Sequence, residues 1–236
     1  MRALKQKSER QSERGNVLFY VMFAVALLAA LSYAVSQSGR GSITQLNAEK
    51  ARLLADEILQ YGNVLASAAA QLRLRGCKDT EISFENPILT GTHINASAPP
   101  DKTCHIFDPA GGGVTYHTFD VSGVTGTPRF QTGNQAITQI GMDNEADLWM
   151  HITLDNSESA HMLCAQINDL IELGVENDTS TAAFEPFQNG TWADTDFTGS
   201  FPSAGAISNA DLDGKTAWCA GHTTDLVSFY RVLIAR

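Results

Sequence analysis

The most constraining feature of this sequence is a long uncharged run near its N-terminus. No Asp, Glu, Lys or Arg occurs from Asn16 to Gly39, and within it Val17–Val35 has Ser32 as its only clearly polar residue. About 20 apolar residues in a helix span the hydrocarbon core of a bilayer. A core helix of a globular domain is rarely apolar on every side at this length. The run therefore predicts a transmembrane helix.

The charges around this run predict its orientation. Residues 1–15 contain five basic and two acidic residues, a net charge of +3. A basic segment before the apolar run indicates a cytoplasmic N-terminus, with the rest of the chain on the far side of the inner membrane. The alternative is a cleaved secretory signal peptide, for which Ala34–Ser36 offers a small-x-small site. The apolar run is longer than the core of such a peptide.

An amphipathic helix is predicted to follow. Gly39 and Gly41 give a joint, after which apolar residues recur at steps of three and four, as they do on one face of a helix. Arg75 lies in the last turn and Gly76 follows, a normal helix end. Residues 17–75 are thus expected to form one nearly continuous helix. The apolar positions of this stripe are Ile43, Leu46, Leu54, Ile58, Tyr61, Leu65, Ala68 and Leu72.

This organisation resembles that of type IV pilins and type II secretion pseudopilins. The residues that carry the resemblance are Arg14-Gly15 followed by Asn16, Val17, Leu18, Phe19 and Tyr20, and the resemblance extends over residues 10–75. It implies that a prepilin peptidase cuts between Gly15 and Asn16 and that the new N-terminus is methylated. It also implies that residues 17–35 act as both membrane anchor and assembly core, with Val17, Leu18, Phe19 and Tyr20 at its start.

Two residues depart from the family pattern. The family usually has a glutamate five residues after the cut, where this chain has Tyr20, and Asn16 is an unusual first residue. Within the family, loss of that glutamate is typical of a minor pseudopilin at a filament tip. The resemblance implies a structural subunit, not an enzyme. Its expected partners are the membrane and other pilin-like subunits or secretion-system components, with the C-terminal domain periplasmic or extracellular.

Two other functions remain open from the sequence. The first is a bitopic, signal-anchored envelope protein that keeps residues 1–15, binds a ligand or partner through its periplasmic domain and never polymerises. The second is a secreted enzyme released near Ser36. The state of the N-terminus distinguishes all three.

The charge balance excludes one class of function. The 236 residues carry a net charge of −10, and from Gly76 onward 6 basic and 21 acidic residues give −15. Because binding to phosphates requires a basic surface, a nucleic-acid partner is not expected.

The predicted domains are the leader 1–15, the transmembrane and assembly helix 16–38, the amphipathic continuation 39–76 and a globular domain 77–236.

The globular domain is predicted to be α+β. A helix from Glu158 to Leu173 is expected, with Ser157 as its N-cap and Gly174 ending it. The long N-terminal helix should pack on an antiparallel sheet. The glycine-rich turn 108–113 lacks the Lys-Ser/Thr of a phosphate loop. A loop is expected from Glu176 to Ser208. The predicted strands are Val114–Phe119, Gln135–Ile140, Leu148–Leu154 and Leu226–Ala235.

The four cysteines all lie beyond the apolar run, in a part of the chain expected to be in an oxidising compartment. Three pairings are possible. The one we favour joins Cys77 to Cys104, just after the long helix, and Cys164 to Cys219. The absence of a Cys-x-x-Cys pair argues against zinc.

No other motif predicts a cofactor or a catalytic site. The six histidines show no metal-binding spacing, and no Gly-x-Ser-x-Gly occurs. Two oxygen-rich loops are weak calcium candidates: Asp211 with Asp213, and residues 143–147. Neither matches the twelve-residue calcium loop, so solvated turns are expected.

Overall fold

The computed structural model describes residues 13–121, 124–132, 135–137, 139–141, 145–154, 157–173, 195–202, 205–207, 212–221 and 227–236. The chain divides into two compact units, one ending at Glu49 and the other comprising Lys50–Arg236. Each unit is described by itself.

The described part of the first unit is the N-terminal part of helix α1, which runs from Glu13 to Leu74. These bounds are close to the helix predicted over residues 17–75. Every side chain described between Phe19 and Tyr33 is exposed. In the described part of the chain, no helix combines the length and the apolarity that a membrane crossing requires.

The second unit begins with the C-terminal part of α1, which buries one face in the core. Leu54, Ile58, Leu65 and Leu72 from the predicted stripe are all buried there. Gly76 ends this helix in the left-handed region, with φ at 101°, and the Cys77 N–H donates to the Leu72 carbonyl. A glycine adopts this conformation without steric cost, so the sequence signal for the helix end is also the structural cause.

The second unit is α+β and is organised around an antiparallel sheet of five strands in the order β6-β3-β5-β9-β8. Two smaller pairs are present, β1 with β2 antiparallel and β4 with β7 parallel. The strands are β1 (Phe119–Val121), β2 (Val124–Gly126), β3 (Arg129–Thr132), β4 (Gln135–Ile137), β5 (Leu148–Leu154), β6 (Thr195–Asp196), β7 (Gly205–Ile207), β8 (Ala217–Gly221) and β9 (Val227–Ile234). The helices are α1, α2 (Glu158–Leu170) and a short 3-10 helix, Asp79–Glu81.

Strand β5 shows how the main sheet is covered. Its even-numbered residues face the larger core cluster, which also contains the buried faces of α1 and α2. On its opposite face, Trp149 is buried in a second cluster against Trp218, His151 is half-buried and Thr153 is exposed. The sequence predicted a half-buried strand here. The start of the strand is buried on both faces because Tyr230 of the adjacent β9 and Trp218 of β8, one strand further on, lie in the same cluster as Trp149.

Several predicted elements differ from the structure in their bounds. Residues 114–118 are not a strand, since the Val114 N–H donates to the Ile106 carbonyl and the Tyr116 hydroxyl to the Pro128 carbonyl. The His117 N–H donates to the Tyr61 hydroxyl of α1, so none of these groups pairs with a strand, and β1 begins at Phe119. Helix α2 ends at Leu170 instead of at residue 173, while Ser157 caps its N-terminus as predicted, accepting from the Ala160 N–H.

The predicted loop over residues 176–208 contains regular structure. Strands β6 and β7 both lie in it, because each finds a partner strand far away in sequence. The remainder of this loop, apart from residues 197–202, lies outside the described residues, as do Gly174 and residues 1–12 of the leader.

Candidate functional site

An exposed apolar surface covers the part of α1 from Phe19 to Tyr33, which we call the apolar segment. Its large side chains are between 55 % (Leu27) and 68 % (Met22) exposed. Single apolar residues are common on protein surfaces, but contiguous apolar surface marks contact with a membrane or another protein. Since the apolar segment has no charged face, contact with apolar surroundings on all sides is what its composition favours.

The predicted processing residues lie at the start of the same helix. Gly15 and Asn16 are in the first turn of α1, which begins at Glu13. Of the predicted assembly residues, Phe19 and Tyr20 are described with their side chains, and their rings meet edge to face at 6.5 Å. Tyr20 is 65 % exposed. The Tyr20 phenol is therefore on the surface of the apolar segment.

Both predicted disulfides are present. Cys77 is bonded to Cys104 and Cys164 to Cys219, with Cα–Cα distances of 5.8 and 5.3 Å. The first closes the loop that follows α1, and the second ties α2 to β8. All four cysteines of the chain are used in these bonds, so no thiol is available as a nucleophile or a metal ligand.

A pair of hydrogen bonds also connects α2 to β8, and the sequence did not predict it. The Asn168 side-chain amide donates to the Cys219 carbonyl and accepts from the Cys219 N–H, each at 2.9 Å. The disulfide and this pair of hydrogen bonds meet at the same residue of β8. Asn168 therefore satisfies the backbone of an edge strand that has β9 on its other side.

The oxygen-rich loops that were weak calcium candidates have protein partners. Asp213 accepts a hydrogen bond from the Gln139 amide at 3.0 Å, while Asp211 lies outside the described residues. Glu145 forms an ion pair with Arg236 at 3.0 Å, and buried Asp147 accepts from the Arg236 N–H. Within the described ranges, no three His, Cys, Asp or Glu side chains are grouped to hold a metal ion.

The structure brings together a polar cluster that the sequence did not indicate. The ring of His93 is fully buried, and its Nε2 lies 3.9 Å from Oδ1 of Asp196. Asp196 itself accepts two hydrogen bonds from the Arg129 guanidinium, at 3.2 and 2.7 Å. Neither ring nitrogen of His93 has a hydrogen-bond partner in the part of the chain that is described.

The electrostatics of this cluster disfavour a charged imidazole. Burial lowers the pKa of His93; the Asp196 carboxylate opposes this effect and the Arg129 cation adds to it. No local motif connects these three residues, since His93 and Asp196 are separated by over a hundred positions in the chain. The sequence shows only that His93 lies in a turn-rich stretch, and that pattern does not by itself predict a polar cluster.

Two other histidines have carboxylate neighbours. Burial lowers the pKa of His105, whose Nδ1 lies 3.9 Å from Glu85. His117 lies 3.2 Å from Glu57 on the surface, and its backbone N–H donates to the Tyr61 hydroxyl. Burial raises the pKa of Tyr61 to about 12, against the effect of that hydrogen bond. The phenol therefore stays protonated and links α1 to the segment before β1.

An open groove of about 360 Å³ runs beside α1 in the second unit. The residues that line it have no ionisable side chain: Gln60, Asn63, Val64, Ser67, Ala68, Gln71, Gly112 and Val114. Acid–base chemistry requires a titratable group near the reacting atoms.

Comparison of this chain with protein-family models, with curated proteins and with solved structures finds no match.

Proposed function

We propose that this chain is a pilin-like or pseudopilin-like structural subunit, anchored in the inner membrane and processed after Gly15. The observation that carries the proposal is the apolar segment, in which every side chain described from Phe19 to Tyr33 is exposed. The full uncharged run in the sequence is longer, from Asn16 to Gly39. A helix of this composition requires apolar surroundings on all sides.

The physical basis of such a role is an exchange of one apolar environment for another. Burying a Leu or Phe side chain from water is worth about 1.5–3 kcal/mol, so the apolar segment strongly disfavours exposure to water. Moving it from lipid to the side of another apolar helix changes this term little, since lipid tails are as apolar as leucine. Subunits can therefore be stored in the membrane and assembled from it without a large loss of this apolar stabilisation.

The remainder of the chain supports an exported domain. Two disulfides hold the second unit together, and such bonds persist in oxidising compartments. The basic residues precede the apolar segment, and the acidic balance of −15 lies beyond Gly76. A basic leader favours a cytoplasmic N-terminus, so we place residues 77–236 outside the inner membrane.

A signal-anchored protein that never polymerises is the second candidate, and Tyr20 favours it. In the family that this chain resembles, a glutamate at this position pairs with the N-terminus of a neighbouring subunit during assembly. A phenol carries no charge near neutral pH and makes no such ion pair. Within the first proposal, the same residue favours a minor subunit over a major one.

Membrane anchoring is tested by placing charges in the apolar segment. In the full chain, Val25→Lys with Leu28→Lys should raise the cost of membrane insertion by about 5–7 kcal/mol, at roughly 2.5–3.5 kcal/mol per lysine. The control is Leu53→Lys with Val64→Lys, which changes apolar residues that are exposed on the second unit. We expect the control to stay with membranes after an alkaline wash and the first variant to be lost. Equal retention of both would contradict the proposal.

A further inference from the structure

The cluster around His93 lies where a two-residue edge strand is held on the main sheet. β6 pairs with β3 through Gln131 opposite Asp196 and Thr132 opposite Thr195. One further backbone bond, from the Phe197 N–H to the Phe130 carbonyl, extends this ladder. So short a strand has little intrinsic stability, and the segment 195–202 depends on side chains for its position.

Those side chains come from the loop closed by the first disulfide. His93 reaches Asp196, and the Asn95 side chain lies so close to Gly199 that a Cβ there would come within 2.3 Å of its oxygen. Asn95 is itself fixed by donating to the carbonyls of Thr80 and Ile82. The segment 195–202 is therefore held between β3 on one side and the loop of His93 and Asn95 on the other.

Protonation of His93 would disturb this arrangement. The charged groups that face the ring are Asp196 on β6 and Arg129 on β3, and the aromatic face against it is Phe130, at 5.5 Å. The acceptor nearest to an imidazolium here is Oδ1 of Asp196, which lies 3.9 Å from Nε2, beyond hydrogen-bond distance. That carboxylate already accepts two bonds from Arg129. A buried charge that is not hydrogen-bonded is costly, and exposing the ring to water relieves that cost.

We propose that His93 is an acid-sensitive latch: while its ring is neutral it packs behind Asp196 and holds the segment 195–202 on the edge of β3, and when the ring is protonated the segment detaches. Detachment removes the strand paired with Gln131 and Thr132 and exposes the outer edge of β3. The inference is independent of the proposed function, since it concerns the second unit alone.

The test is amide hydrogen exchange on the full chain in detergent micelles, expressed as protection relative to an unstructured peptide at the same pH. For one imidazole, lowering the pH to about 5.5 reduces the protection of residues 195–202 by up to about tenfold relative to neutral pH. We expect this loss in the unaltered protein, and residues 195–202 should be less protected than the amides of β9 at both pH values. Equal protection of the two segments would indicate that both exchange only by global unfolding and would overturn the latch.

Two variants test whether the acid-induced loss of protection of residues 195–202 arises from His93. His93→Gln replaces the ring with a neutral amide, so protection of residues 195–202 should no longer depend on pH. His105→Gln removes the other buried histidine with a lowered pKa and should leave the acid response unchanged. The latch is refuted if His93→Gln still responds to acid or if His105→Gln does not. Should His93→Gln not fold, the imidazole NMR titration of the unaltered protein decides, because a His93 pKa at or above the ordinary value would refute the proposal.

Discussion

Removal of the Cys164–Cys219 disulfide should cost more stability than removal of Cys77–Cys104. The two bonds close loops with sequence separations of 55 and 27 residues. From the entropy of loop closure in the unfolded chain, these separations correspond to about 4.2 and about 3.6 kcal/mol, a difference of about 0.6 kcal/mol. Burial acts in the same direction, since Cys164 and Cys219 are both buried whereas Cys77 is partly exposed. A pair of alanines at positions 164 and 219 therefore also loses packing in the core.

The assay is urea unfolding of the full chain in detergent micelles, followed by the fluorescence of the buried indoles Trp149 and Trp218. The two double variants, Cys164→Ala/Cys219→Ala and Cys77→Ala/Cys104→Ala, are compared with the unaltered protein under identical conditions. We expect both to unfold at lower urea, the first more so. A larger loss in the Cys77/Cys104 variant, or less than about 1 kcal/mol in either, would refute the reasoning from loop length and burial.

Three further predictions concern single residues of the second unit. Asn168→Ala should cost about 1–3 kcal/mol in urea unfolding, because two backbone groups of Cys219 lose their partners; a smaller loss than that of an exposed Asn63→Ala control contradicts this. Gly199→Ala should lower the thermal midpoint more than Gly76→Ala, since both have positive φ but only Gly199 has close neighbours; the reverse order would exclude crowding as the cause. The free energy of unfolding should fall as the pH drops below the ordinary imidazole pKa of about 6.5. The reason is that burial lowers the pKa of His93 and His105 in the folded state alone. A free energy of unfolding that stays constant down to about pH 5 would contradict this prediction.

The elements that the sequence predicted well are those that local signals determine. The end of α1 follows from a glycine with positive φ, and the start of α2 from a serine that caps it. Strand β5 was predicted with its bounds because its even-numbered residues alternate cleanly. The disulfide pairing was also predicted correctly, since Cys77 and Cys104 follow one helix closely while Cys164 lies on the other.

The features that sequence reasoning missed depend on long-range pairing. Residues 114–118 have strand composition, yet their polar groups bond to the loop at residue 106 and to Pro128. Strand β6 is two residues long and exists because Gln131 and Thr132 are opposite it. The neighbourhood of His93 and Asp196 likewise arises only when the loop and the sheet edge meet. The composition of a single segment does not determine contacts between segments that are distant in the chain.

The measurement that tests the central proposal most directly is the intact mass and N-terminal sequence of the protein isolated from native membranes. The account predicts a chain that begins at Asn16, with the residues up to Gly15 removed and the new amino group methylated. A membrane-bound chain that retains residues 1–15 would contradict processing and favour the stationary anchor. A soluble chain that begins near Gln37 would contradict membrane anchoring as well.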